Sequence, residues 1–392
     1  MKSFLIALFS LFATLALAQL QQLPIMAFYG VDNNSDVDYQ LMSEAGINVN
    51  FTVFSNVEEG VKALNVANKH NVKIMFYADE LVINPEQTIK KIKNHPGLYG
   101  YFVDDEPTVK DFEHLKSRIS VIQSLDPNHP VYINLFPNSA SSKDLGENLY
   151  VDYLKKFVTT VPTSFISFDY YPVKRSGVES MWYSNLEIIR NISIAQNKPF
   201  WGFANSTVFG PYPQPTIESI RLQQFGNLLY GAKGLQYFTY LTLDDANWKK
   251  NNMGHAIVYS NGKPTPTYNV VKTVNTQIQK LAWVFIDSTV RNVYHMGNDI
   301  PKDTKVAPPS LGIIKTYNQS SNNLLVSCLD NKKYNFVAYQ NKNLNGNMKF
   351  NFKPDSGVMI VDNTTGKLIT LKSTKQYLTL LPGDVVIFAK VK

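Results

Sequence analysis

Apolar residues along this chain arrive in short continuous runs, and eight of these alternate with stretches of helical period. The runs cover 25–30, 48–54, 73–77, 98–103, 131–136, 164–168, 199–204 and 234–240. Between them Phe112, Leu115, Ile119 and Ile122 recur three and four apart, as do Val271, Val274, Ile278 and Leu281. That spacing predicts helices, and others are predicted over 59–69, 85–93, 150–158, 182–196 and 216–230. Runs that are apolar without alternation belong to strands buried on both faces. Strand and helix in strict alternation then predict a closed parallel (β/α)8 barrel over residues 19–286. An open doubly wound sheet is the alternative, but no Gly-x-Gly-x-x-Gly follows the first run, so no dinucleotide site is signalled.

Beyond Trp283 the period drops to two. Runs at 323–329, 334–339, 348–352, 358–361, 367–371, 377–381 and 384–391 are separated by turn pairs such as Asn345-Gly346 and Thr365-Gly366. They predict an all-β sandwich over 287–392, with 301–309 as an ordered connecting loop.

Residues 1–18 combine Lys2, an apolar run and Ala16-Leu17-Ala18, the pattern of a secretory signal peptide cleaved near Ala18. The run is too short and wrongly flanked for a membrane anchor, and no later stretch is long and apolar enough to span a bilayer. The expected product is secreted, to the extracellular space or another exported compartment. Cys328 is the only cysteine, so no intrachain disulfide forms, and its apolar setting is that of a packed thiol. Six Asn-x-Ser/Thr sequons begin at Asn33, Asn50, Asn191, Asn205, Asn318 and Asn363; on a eukaryotic secretory route some would carry glycans. The formal charge of +7 is spread thinly, with no basic block longer than Lys249-Lys250 or Lys332-Lys333, which excludes a nucleic-acid partner. The six histidines include no HExxH and no pair at ligand spacing, so neither a metal nor another cofactor is expected. No Gly-x-Ser-x-Gly elbow is present for a lipase-like triad.

The chemistry concentrates where strands end. The run from Leu98 closes on Asp104, Asp105, Glu106 and Pro107, and the carboxyl ends of barrel strands form the mouth where catalytic groups sit. Other strand ends bring Asp79 and Glu80, Asn134 and Asn138, Asp169 with Tyr170 and Tyr171, Asn205, and Asp244 with Asp245. Alternation along an extended strand puts Asp104 and Glu106 on one face. Cleavage of a glycosidic bond needs two carboxyls, one to protonate the leaving oxygen and one to attack or to activate water. Here Glu106 is the expected acid/base and Asp169 the expected second group, with Asp104 and Asp105 raising the proton affinity of Glu106. Asp104, Asp105 and Asn134 are candidates for substrate hydroxyls. Tyr29, Tyr171, Trp201 and Tyr240 are candidates for stacking on sugar faces, among further aromatics at Phe28, Tyr77, Tyr170, Phe203 and Trp248.

The segments GYFVDDEP, VYINLFPN, FISFDYYPV, PFWGFANST, GPYP and LYGAKGLQYFTY resemble glycoside hydrolases of clan A. The resemblance is closest to secreted β-galactosidase-like, family 42-like barrels that carry a C-terminal β-sandwich. It implies an acid/base Glu at the end of strand 4, matched by Glu106, with Asp105 where the family has the Asn that touches the substrate's 2-hydroxyl. It also implies a nucleophilic Glu at the end of strand 7, and there this chain departs: no acid lies between Glu187 and Glu218. The expectation is a glycoside hydrolase acting on an oligo- or polysaccharide. Two alternatives stay open: a non-catalytic glycan-binding protein on a hydrolase scaffold, and a substrate-assisted hexosaminidase using Asp104 and Glu106 at chitinase-like spacing. A Glu106–Asp169 carboxyl separation of about 5–5.5 Å would predict retention and about 6.5–9.5 Å inversion. Oligomeric state has no signal in the pattern.

Overall fold

The computed structural model describes residues 22–308, 310–317 and 323–392, so the predicted leader and the sequon at Asn318 lie outside it. Eight parallel strands close into a barrel: Ile25–Phe28, Val49–Phe51, Lys73–Phe76, Leu98–Asp105, Val131–Leu135, Ile166–Phe168, Phe200–Asn205 and Gly234–Phe238. They are the first to eighth barrel strands, and the first pairs with both the second and the eighth. Predicted helices are observed at Val57–Lys69, Pro85–Ile92, Phe112–Leu125, Tyr150–Thr160, Met181–Gln196, Ile217–Tyr230 and Pro266–Phe285. The helix Asp36–Glu44 escapes the pattern because it buries only Tyr39 and Met42; its start is fixed instead by Ser35, whose hydroxyl accepts from the Asp38 amide.

The barrel interior is filled by large side chains, among them Phe28, Phe51, Phe102, Tyr132, Phe165 and Trp201. It is a packed core, so chemistry is confined to its open ends. The fourth strand is irregular near its carboxyl end. It pairs Phe102 with Tyr132 and then Asp104 with Ile133, leaving Val103 as a bulge that inverts the facing of every residue after it.

The C-terminal region is antiparallel. A six-stranded sheet runs Thr289–Met296, Leu324–Asp330, Tyr334–Asn341, Val385–Val391, Met359–Val361, Leu368–Thr370, and a four-stranded sheet Ser310–Leu311, Ile314–Tyr317, Met348–Pro354, Gln376–Leu380. Strands 289–296, 310–311 and 314–317 add to the predicted set. Residues 301–308 therefore fall inside this region, and the step from the last barrel helix to the first strand is only Phe285 to Thr289.

The sandwich is fixed to the barrel. Leu325, Leu329, Phe336, Val385 and Ile387 share one apolar core with the barrel helices. Gln340 Nε2 donates to the carbonyls of Arg221 (3.2 Å) and Leu222 (3.1 Å), and Gln277 Nε2 donates to Asp384 Oδ1 at 2.7 Å. Trp283 Nε1 donates to the Gly366 carbonyl at 3.0 Å. Among the described residues no helix is long and apolar enough to cross a membrane.

Candidate active site

The bulge at Val103 decides which acids reach the barrel mouth. Asp105 aligns with Asn134 on the inward face, while Asp104 aligns with Ile133 on the outward face. The expectation that Asp104 and Glu106 share a face is also corrected, because the strand ends at Asp105 and Glu106 leaves extended geometry, so alternation does not reach it. The charges around Asp104 are those of Arg118, His114 and Asp111 on the neighbouring helical segment. Glu106 follows the strand at a left-handed φ of +52°, its amide donating to the Asn134 carbonyl at 2.9 Å. A positive φ on a residue with a Cβ is strained and clusters at functional sites. Pro107 then stops the strand.

This turn sets the Glu106 carboxyl beside that of Asp169, just past the sixth strand and close enough for the Asp169 charge to raise the proton affinity of Glu106. Asn134 sits between the acids: its Nδ2 donates to Asp105 Oδ1 at 3.1 Å and to Asp169 Oδ1 at 3.3 Å. The Tyr171 hydroxyl lies close enough to feel the charge of Asp169. Glu106, Asp169, Asp105, Asn134 and Tyr171 therefore converge, and Tyr29 stands close enough for the charge of Asp105 to be felt by its hydroxyl.

Burial raises the proton affinity of all three converging acids, as low polarity disfavours the charged form. Asp105 remains open to water within the concave mouth, and the Asn134 amide moderates its shift. Asp169 is partly relieved by the Asn134 amide and by the neighbouring Tyr171 hydroxyl. Among the described residues no donor reaches the Glu106 carboxyl, and the charges of Asp169 and Asp105 push it further up. The proton shared by the Glu106–Asp169 pair accordingly resides on Glu106.

Below the acids a chain of buried donors runs down the barrel axis. Tyr132 OH donates to Gln236 Oε1 (2.8 Å), Gln236 Nε2 to Ser167 Oγ (2.9 Å), and Ser167 Oγ to Asn134 Oδ1 (3.0 Å). With its oxygen occupied from below, Asn134 is left with only its amide hydrogens for the two carboxylates. The sequence pattern does not single out Gln236 and Ser167; their one signal is polarity inside otherwise apolar strand runs.

The aromatic expectations divide. Tyr171 packs with Phe238 (5.4 Å between centroids), Tyr212 (5.7 Å), Phe203 (6.3 Å) and Phe209 (6.4 Å), an aromatic wall beside Asp169. Trp201 is not part of it: it stacks on Phe165 at 4.6 Å and meets Tyr99 at 5.6 Å in the barrel's lower layer. Tyr240 is corrected too, since it lies past the end of the eighth strand, fully buried in the core outside the barrel. The inward aromatic of that strand is Phe238.

The remaining acids have local partners. Glu80 Oε1 accepts from the Val57 amide, Asp244 pairs with Lys249 at 2.8 Å, and Asp245 caps the helix Ala246–Lys250. Asn205, which ends the seventh strand, accepts from the Thr207 amide through Oδ1 at 3.0 Å. No group of three or more His, Cys, Asp or Glu side chains is arranged to hold a metal among the described residues. The sequons at Asn50 and Asn205 are buried, and Asn363 donates its amide to the Val385 carbonyl.

No family model matches the chain, and no curated protein matches it in sequence. Solved structures do resemble it. A family 39 glycoside hydrolase from the gut symbiont Bacteroides cellulosilyticus is similar with a TM-score of 0.55 and 13% identity, over 95% of this chain and 81% of that one. An α-amylase from Anoxybacillus is similar with a TM-score of 0.51 and 12% identity, over 93% of this chain and 91% of that one. At such identities the likeness shows the fold, and it extends over nearly the whole chain.

Proposed function

We propose that this protein is a secreted glycoside hydrolase of clan A, acting on an oligo- or polysaccharide, with Glu106 as its general acid. The observation that carries the reading is the pairing of Glu106 with Asp169. A general acid must hold its proton near neutrality and stand open to the leaving oxygen. Burial and two neighbouring carboxylates keep the proton on Glu106, and its left-handed backbone turns it into the mouth beside an aromatic wall suited to a sugar face.

Asp169 then serves as the partner that retains this proton, because its charge, held by the Asn134 amide, favours the protonated form of Glu106. Asp105 is the second carboxylate open to the mouth. In the leading reading it attacks the anomeric carbon or activates a water. The end of the seventh strand favours a second reading: Asn205 is neutral and its oxygen is already bound to the Thr207 amide, so no carboxylate faces the mouth from that strand. There a 2-acetamido group of the substrate attacks, and Asp105, in place of Asp104, orients it.

Hydrolysis of aryl glycosides with 2-hydroxyl and 2-acetamido substituents tests both readings. Turnover of either series, falling about 10²-fold or more in Glu106→Gln, supports the hydrolase. Turnover of the 2-acetamido series alone selects the substrate-assisted route. Glycan binding without turnover of any substrate makes the protein a binding module and overturns the proposal.

A further inference from the structure

A second polar cavity, of about 340 Å³, opens in the seam between barrel and sandwich. Lys342 forms one wall and is 5% exposed. Its ammonium donates to His295 Nδ1 and to the Asp299 carbonyl, both at 3.2 Å, and lies 5.3 Å from the centre of the Tyr183 ring. His295 is itself buried and held neutral, with the Tyr230 hydroxyl on its other nitrogen. Among the described residues no carboxylate comes within ion-pair distance of Lys342. The charge of Asp299 is near enough to favour the ammonium but does not pair with it, and a buried ammonium without a directly paired counter-charge is costly.

Three further features of the same cavity favour an anion. The Tyr183 hydroxyl, 3% exposed, has no hydrogen-bond partner among the described residues. The N-terminus of helix Met181–Gln196 reaches the cavity through its cap residue Ser180, whose side chain makes no capping bond, and no acid occupies the first turn. Helix N-termini carry partial positive charge. Around this cationic corner the lining is amide-rich, with Asn323, Asn343 and Asn345, the kind of surface that hydrogen-bonds sugar hydroxyls.

We propose that the seam cavity is a binding site for a carboxylated monosaccharide unit, its carboxylate held by Lys342 and the Tyr183 hydroxyl and its hydroxyls by the asparagines. Burial lowers the affinity of Lys342 for its proton to about 8 although the charge of Asp299 opposes that shift, and a bound carboxylate would supply a counter-charge in direct contact. The site is separate from the Glu106 cluster and does not depend on what that cluster catalyses. The chain joins the two, since the ribbon Val173–Lys174 and Gly177–Val178 follows shortly after Tyr171 and its second strand lines the cavity.

Titration calorimetry of the full chain with methyl β-D-glucuronide tests this, with methyl β-D-glucoside and sodium sulfate as comparison ligands. The expected result is binding of the glucuronide alone, weakened about 10-fold or more in Lys342→Met and measurably in Tyr183→Phe, and unchanged in Glu106→Gln. Tyr183→Phe removes one oxygen from a packed ring, so it keeps the test valid should Lys342→Met fail to fold. Three outcomes overturn the proposal: no glucuronide binding, equal binding of the neutral glucoside or of sulfate, or binding abolished by Glu106→Gln and retained in both seam variants.

Discussion

The carboxyl of Glu106, turned inward by a φ of +52°, lies beside the carboxyl of Asp169 across the ends of the fourth and sixth barrel strands. Two acids so placed cannot both ionise freely, so one proton is shared, and the Asn134 amide on Asp169 leaves that proton with Glu106.

The pH profile should report this directly. The acid must be protonated to act, so activity falls as pH rises through the Glu106 titration. Asp169→Asn removes a negative charge from beside Glu106 and lowers its proton affinity. The basic limb of kcat/KM against pH should therefore move toward acid by about one unit or more. A limb that stays in place would show that Asp169 does not keep the proton on Glu106.

Stability should carry the same signature. A carboxyl whose proton affinity is higher folded than unfolded makes the native state bind the extra proton. Native stability is then greatest near and below the ordinary carboxyl value of 4.5, and declines as pH rises from there toward about 8, where Glu106 ionises in the fold. Urea unfolding should show a lower midpoint at pH 8 than at pH 5, and Glu106→Gln should flatten that difference.

Ser167 has no place in the chemistry but supports it. Ser167→Ala leaves the Gln236 amide and the Asn134 oxygen without their shared partner in a closed interior. The expected loss is about 1–3 kcal/mol in denaturant unfolding, with a lower kcat as Asn134 is freed to turn.

The seam has its own test. Gly383 lies at φ +66° against the helix Ile217–Tyr230, and a Cβ there would fall 2.2 Å from the Glu218 carbonyl. Gly383→Ala should cost about 1–3 kcal/mol, read as a lower Tm, and should leave kcat intact, because the contact joins sandwich to barrel and touches none of the groups around Glu106.

Much of this is legible from residue order, and the failures share a cause. Continuous apolar runs identify all eight barrel strands, and the strand-end position of Glu106 marks the mouth. What the pattern does not carry is local backbone geometry. The bulge at Val103 exchanges the facing of Asp104 and Asp105, so Asp104→Asn should change kcat/KM by less than about threefold while Asp105→Asn should cost about 10²-fold or more. Tyr240 is misplaced by the pattern because the strand stops at Phe238. Trp201 is misplaced because an inward aromatic can fill either layer of the barrel, and depth along a strand has no periodic signal. The pairing of Glu106 with Asp169 depends on a positive φ at a glutamate, which residue type disfavours.

The most direct test of the central claim is the rate of glycoside hydrolysis by Glu106→Gln beside the wild type, with far-UV circular dichroism on both. The account predicts a fall of about 10²-fold or more with the spectrum unchanged, since the amide keeps the shape of the acid and removes its proton. An undiminished rate in a folded Glu106→Gln protein would contradict it.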